Sequence, residues 1–157
     1  MPHNPNTSTS ILTFNLQGKL KNPLARQTLC EDMIRKNIDV GCFQETKMKS
    51  DDTFQIENQK GVIMNVATQE TGKEHIYGMG FYISNTWWQI FDGIERINDR
   101  IIAIHFRINE KNKQNRLTIL NVYSPTEVSP DITEKENFYA TLESTTQRLK
   151  RNRCMSL

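Results

Sequence analysis

At 157 residues the chain has the length of one domain or a piece of one. Apolar residues make up 36%, or about 40% with glycine, a little under the usual 45–50% of globular proteins, while charged residues are an ordinary 24%. Twenty basic against 18 acidic residues, net +2, exclude a strongly basic nucleic-acid coat, and no apolar run approaches the roughly 20 residues that cross a bilayer, so no membrane partner is expected.

In chain order, the polar opening MPHNPNTSTS lacks a hydrophobic signal segment, and residues 1–10 read as a disordered lead-in. Ile11 to Asn15 is a short β-rich run closed by a Gln17-Gly18 turn. Asn22-Pro23 has the form of an N-cap followed by proline at the first helical position. Ala25, Leu29, Cys30, Met33 and Ile34 then share one face of a helix from about Pro23 to Asn37. Val40 to Gln44 is the next strand, and strand–helix–strand over this span predicts a parallel pair with a right-handed crossover. After the polar KMKSDD the expected strands are Val62 to Ala67, Gly78 to Ser84, Trp87 to Phe91, Ile101 to Ile108 and Leu117 to Tyr123. The last two form an antiparallel hairpin with a long loop, and IIAIHFRI, apolar on both faces, is central in its sheet. Thr133 and Glu136 read as a capping box opening a helix to about Lys150. Cys30, Cys42 and Cys154, an odd number without metal-ligand spacing, read as reduced thiols of an intracellular protein.

Phosphate-binding GxxxxGK, GxGxxG, HExxH and paired CxxC motifs are all missing from the sequence. His3, His75 and His105 are scattered, and His105 reads as a hydrogen-bonded sheet residue. Polar residues at strand ends remain: Asn15 after the first strand, Glu45 after the second, Tyr123 at the last. Residues just beyond the carboxyl ends of strands can converge on a cleft in an α/β sheet. A carboxylate there suits Mg²⁺, an amide can orient it, and a phenol can hydrogen-bond a phosphate oxygen. The plainer reading stands beside this one: Asn15 as turn chemistry and Glu45 as a solvated side chain. Lys111, Lys113, Arg116 and the tail Arg148 to Arg153 offer cations to phosphates, or are simply solvated surface.

The blocks FNLQG, DVGCFQETK, GMGFYIS, NDRIIAIHFRI and LTILNVYSPT, in that order, resemble the endonuclease/exonuclease/phosphatase superfamily. That superfamily includes pancreatic deoxyribonuclease and apurinic-site endonucleases. The texture is most similar to the endonuclease domains of long interspersed (non-LTR) retrotransposons and to craniofacial-development-protein-like sequences. The resemblance implies an α/β fold, a partial four-layer αββα sandwich over residues 11–151, with 152–157 as a truncated tail. By the same resemblance Asn15 and Glu45 hold the metal, Mg²⁺ or Mn²⁺, and Tyr123 lies near the scissile phosphate of a DNA substrate. Asn121 reads more simply as a sheet residue and Arg100 as structural. Many relatives have asparagine at the position of Thr126, and the later GDFN-type and aspartate–histidine blocks have no counterpart in the sequence. The expectation is therefore the N-terminal part of a metal-dependent endonuclease, inactive alone and binding metal weakly. Its partners would be a missing C-terminal half or a reverse-transcriptase domain, and its place the nucleus if it belongs to a retroelement. The alternative is a non-catalytic nucleic-acid or protein-binding module on the same scaffold.

Overall fold

Asn22 opens the first long helix as its residue type dictates: in the computed structural model its Oδ1 accepts from the backbone N–H of Leu24 (2.9 Å) and Ala25 (3.4 Å), with Pro23 in the first turn. The structure describes residues 8–56, 61–72, 76–108, 116–126 and 131–154, without the side chains of 152–154. Most of the expected lead-in and tail, and the Lys111–Lys113 loop, lie outside them. The chain divides into two units, residues 1–91 and 92–157.

In the first unit, β1 (Ile11–Asn15), α1 (Pro23–Arg35) and β2 (Val40–Gln44) form the expected βαβ unit. The two strands are parallel, in register from Ile11 opposite Val40 to Asn15 opposite Gln44. Helix α1 stops where Asn37 turns left-handed (φ 51°). Ile38 N–H then reaches back to the Met33 carbonyl at 2.9 Å, and Ile38 packs on the core, which is the Schellman arrangement. β3 (Asp52–Gln55), β4 (Gly61–Val66) and β5 (Met79–Ser84) complete a five-stranded sheet of order β1-β2-β5-β4-β3. The core joins Leu16, Leu20, Cys30, Met33, Phe43, Ile63 and Tyr82. Each large apolar side chain buried there contributes about 1.5–3 kcal/mol.

Two elements depart from the sequence expectation. β3 carries a single apolar residue, Phe54, and pairs only with β4, so tertiary pairing rather than its own pattern makes it a strand. Asn65 Nδ2, donating to the Ser50 carbonyl at 2.7 Å, and Asp51, accepting from Ala67 N–H at 2.8 Å, tie down its entrance. Trp87 to Phe91 is not a strand. Asn85–Trp88 forms a short helical turn, α2, against β4 and β5. The polar Ser84 and Asn85 interrupt the apolar run without a side-chain cap, and the turn buries Trp87 while Trp88 stacks on Phe91 at 4.7 Å. The next strand, β6 (Phe91–Asn98), begins where the expected one ended.

In the second unit, β6, β7 (Ile101–Arg107) and β8 (Arg116–Val122) form a three-stranded sheet with β7 in the middle. β7 and β8 are antiparallel, and Ile101 through Phe106 are all buried. Helix α3 (Ile132–Cys154) follows. Asp131, not Thr133, caps it: its Oδ1 accepts from Thr133 N–H (2.9 Å) and Glu134 N–H (3.2 Å), because Asp131 sits just ahead of the first helical residue. Each unit thus contributes one sheet and one long helix, a mixed α/β architecture as expected. Among the described residues no helix is long and apolar enough to cross a membrane.

Candidate active site

The parallel pairing of β1 and β2 brings two of the three expected residues together. Asn15 ends β1 opposite Gln44, and Glu45 is the next residue beyond β2. Asn15 Nδ2 donates to Glu45 Oε1 at 2.8 Å, while Asn15 Oδ1 accepts from Gln17 N–H at 3.1 Å. Both ends of the amide are therefore fixed, the carboxylate requiring N–H and the backbone requiring oxygen. Asn15 acts here as an orienting group for the carboxylate.

Three backbone hydrogen bonds hold the segment that carries Glu45. Gly18 N–H donates to the Glu45 carbonyl (2.8 Å), Thr46 N–H to the Gly78 carbonyl (3.1 Å) and Lys47 N–H to the Tyr77 carbonyl (2.8 Å). They enforce left-handed backbone at Glu45 (φ 52°) and Lys47 (φ 54°), a conformation that non-glycine residues seldom adopt. The turn places Lys47 Nζ 3.2 Å from Glu45 Oε2. Lys47 was not among the expected residues. Its only trace in the sequence is the spacing of a cation two residues after the carboxylate, which is uninformative unless the turn geometry is known.

The donor set is hard oxygen, the chemistry Mg²⁺ and Mn²⁺ take. Glu45 is the carboxylate that would hold such an ion, with Asn15 orienting it. No group of three or more His, Cys, Asp or Glu residues that could hold a metal occurs among the described residues. One carboxylate suits an ion that keeps most of its ligands as water.

Tyr123, the third expected residue, lies in the second unit immediately after β8. Its N–H donates to the Arg100 carbonyl at 2.8 Å, and Arg100 Nη1 donates to its carbonyl at 3.3 Å. The Arg100 guanidinium also lies 5.3 Å from the Tyr123 ring centre, and its Nη2 bonds Glu134 Oε1 at 2.7 Å. Arg100 thereby ties the turn after β6, the end of β8 and the first turn of α3, a structural role as expected. Asn121 is a buried sheet residue opposite Ile102, and Thr126 is exposed. His105 is buried in β7 with Nδ1 2.9 Å from Thr118 Oγ1.

Of the expected phosphate-facing cations, Arg116 and Arg148 are engaged by acids, and Lys111, Lys113 and the side chain of Arg153 lie outside the described residues. Arg116 Nε donates to Asp92 Oδ2 at 2.7 Å, Arg107 pairs with the same carboxylate, and Arg148 bonds Glu95 Oε1 at 2.5 Å. These arginine contacts hold the Asp92 carboxyl below the usual carboxylate range.

Residues 12–151 match the family model of the Endonuclease/Exonuclease/phosphatase family. No curated protein sequence matches the chain. Among solved structures, the catalytic domain of Xenopus laevis APE2 is similar with a TM-score of 0.64 at 17% identity, over 90% of this chain and 54% of that one. AP endonuclease LMAP from Leishmania major is similar with a TM-score of 0.60 at 15% identity, over 92% of this chain and 52% of that one. The chain thus spans about half the length of either structure, and at these identities the likeness is one of fold.

Proposed function

The chain belongs to the endonuclease/exonuclease/phosphatase family, and from that membership we propose that it carries one side of a Mg²⁺- or Mn²⁺-dependent phosphodiesterase site acting on DNA, of the retrotransposon type. The observation that carries the proposal is the Asn15–Glu45 pair at the level ends of two parallel strands. Retrotransposon type rests on the texture of the five sequence blocks alone.

Glu45 binds the ion through its carboxylate, and Asn15 fixes the direction of that carboxylate. When bound, the ion supplies Lewis-acid polarisation of the phosphodiester. Lys47 places positive charge against Glu45 and screens it when no ion is present. The proposed role of Tyr123, donation of its phenol to a phosphate oxygen, rests on the sequence resemblance, and within its own unit its backbone is held by Arg100. The expectation that these 157 residues alone are inactive rests on the missing GDFN-type and aspartate–histidine sequence blocks, which would supply the groups that activate the attacking water.

The test combines metal binding with strand cleavage. The 157-residue chain binds Mn²⁺ weakly, Glu45→Ala weakens that binding about tenfold, roughly 1.4 kcal/mol, and Tyr123→Phe leaves it unchanged. Supercoiled DNA is not nicked above background by the chain alone. A fusion to the C-terminal half of a full-length family member gains metal-dependent nicking that Glu45→Ala abolishes. Robust nicking by the unfused chain would overturn the one-sided site, and Mn²⁺ binding indifferent to Glu45→Ala would overturn the metal assignment.

A further inference from the structure

Glu45 is not aimed by its strand, because β2 ends at Gln44 and the backbone turns left-handed at the next residue. Beside the three backbone hydrogen bonds, the residue between the two left-handed positions is packed into place. Thr46 is fully buried, and its hydroxyl finds no hydrogen-bond partner among the described residues. The close fit of the Thr46 side chain against Gly78 points to a seat made by shape. The shape is provided by Gly78, at φ 99°. A Cβ on Gly78 would lie 2.3 Å from Thr46 Oγ1, too close unless Thr46 shifts, and a tight 3.1 Å from the backbone Lys47 N. The two segments are also bonded to each other, by Thr46 N–H to the Gly78 carbonyl and Lys47 N–H to that of Tyr77.

We propose that Gly78 is a positioning residue for Glu45: the space left by its missing side chain is the seat of Thr46, and that seat points the Glu45 carboxylate at Asn15. The inference deepens the reading of Glu45 as the metal-binding carboxylate and rests on it for its functional meaning. The seat itself is a property of the metal-free protein and can be tested without metal. Gly78 acts on Glu45 through Thr46, so its effect is directional rather than chemical.

The experiment is ¹⁵N-correlated NMR of the whole chain, reading the Asn15 side-chain amide, which donates to Glu45, and the Gly18 amide, which donates to the Glu45 carbonyl. Glu45→Ala gives the reference position of an Asn15 amide without its acceptor. Gly78→Ala moves the Asn15 signal towards that reference and shifts Gly18, while signals from α1 and β4 stay in place. Thr46→Ala, which empties the seat from the other side, moves the same two signals. The double variant Gly78→Ala/Thr46→Ala shifts them less than Gly78→Ala alone, because the clash with Thr46 Oγ1 is relieved while the left-handed backbone at position 78 stays strained. Thr46→Val keeps them at wild-type positions, since it preserves size and removes a hydroxyl that bonds nothing.

A folded Gly78→Ala with unshifted Asn15 and Gly18 signals would overturn the proposal. Should Gly78→Ala not fold, Thr46→Ala decides, and unshifted signals there overturn it equally. A shift in Thr46→Val would overturn the steric account by giving the hydroxyl a role of its own. Mn²⁺ titration separates this inference from the metal reading: displacement of Glu45 weakens binding about tenfold, as loss of orienting groups does elsewhere. Wild type binding no Mn²⁺ while Gly78→Ala still shifts the Asn15 amide sinks the metal reading and supports the seat. Wild-type affinity in Gly78→Ala with normal signals sinks the seat and leaves the metal reading standing.

Discussion

Cys30 and Cys42 are thiols removed from chemistry by their surroundings. Both are buried and free, and burial pushes Cys30 up to about 11 and Cys42 up to about 12. The thiolate is the reactive form, so at neutral pH neither alkylates at a useful rate. In a Cys154→Ser background, iodoacetamide should leave the native chain unlabelled and label both cysteines in denaturant. Rapid native labelling would mean that the α1–sheet packing around Cys30 opens readily. Asn15 and Glu45 were legible as candidates because both lie at carboxyl ends of strands, and the register of β1 and β2 brings those ends level. Thr46 and Lys47 were not legible. A left-handed turn normally advertises itself by glycine or asparagine, and here Glu45 and Lys47 are forced into it by hydrogen bonds from Gly18 and to Tyr77 and Gly78, residues remote in sequence.

Among the elements, α1 was legible from its local signals and β3, made by its partner, was not, while the local signals at Trp87–Phe91 and Thr133 misled. Helix α1 announces both ends, through Asn22-Pro23 and through Asn37, whereas β3 exists because β4 pairs with it. Strand β7 was legible as central from apolar residues on both faces, and the price of that position falls on His105. Burial, reinforced by the nearby Arg116 charge, holds the imidazole below its ordinary value near 6.5, while Glu95 and Asp92 pull weakly the other way. The unfolded ring accepts a proton near 6.5, and the folded ring does so only at lower pH. Below 6.5 the unfolded chain therefore binds more protons, so stability falls as pH drops through that value towards the folded pKa. Chemical denaturation between about pH 7.5 and 5 should show this fall, and His105→Gln should flatten it. An equal slope in the variant would assign the pH dependence to other groups.

On the scale of the whole molecule, one edge of the five-stranded sheet carries exposed apolar side chains. β2, β4 and β5 are almost entirely buried, but β1 pairs only with β2 and leaves Ile11 53% and Phe14 46% exposed. An apolar edge strand is a template for association. Light scattering of the purified chain should show concentration-dependent self-association, reduced by Phe14→Lys, and a monodisperse wild type would count against it. The sheet order also has a consequence in time. β5 is the middle strand, and it alone joins the β1–β2 pair to the β3–β4 pair. A growing chain emerging residue by residue cannot close this sheet from one end. Two separate nuclei must wait, each with an open ladder, until Met79–Ser84 arrives between them. Removing a fully buried ring of that keystone, Phe81→Ala, should cost about 3–5 kcal/mol. Because both halves depend on the same strand, amide exchange in β2 and in β4 should accelerate together. Protection lost in one pair and kept in the other would mean that the halves hold themselves together unaided.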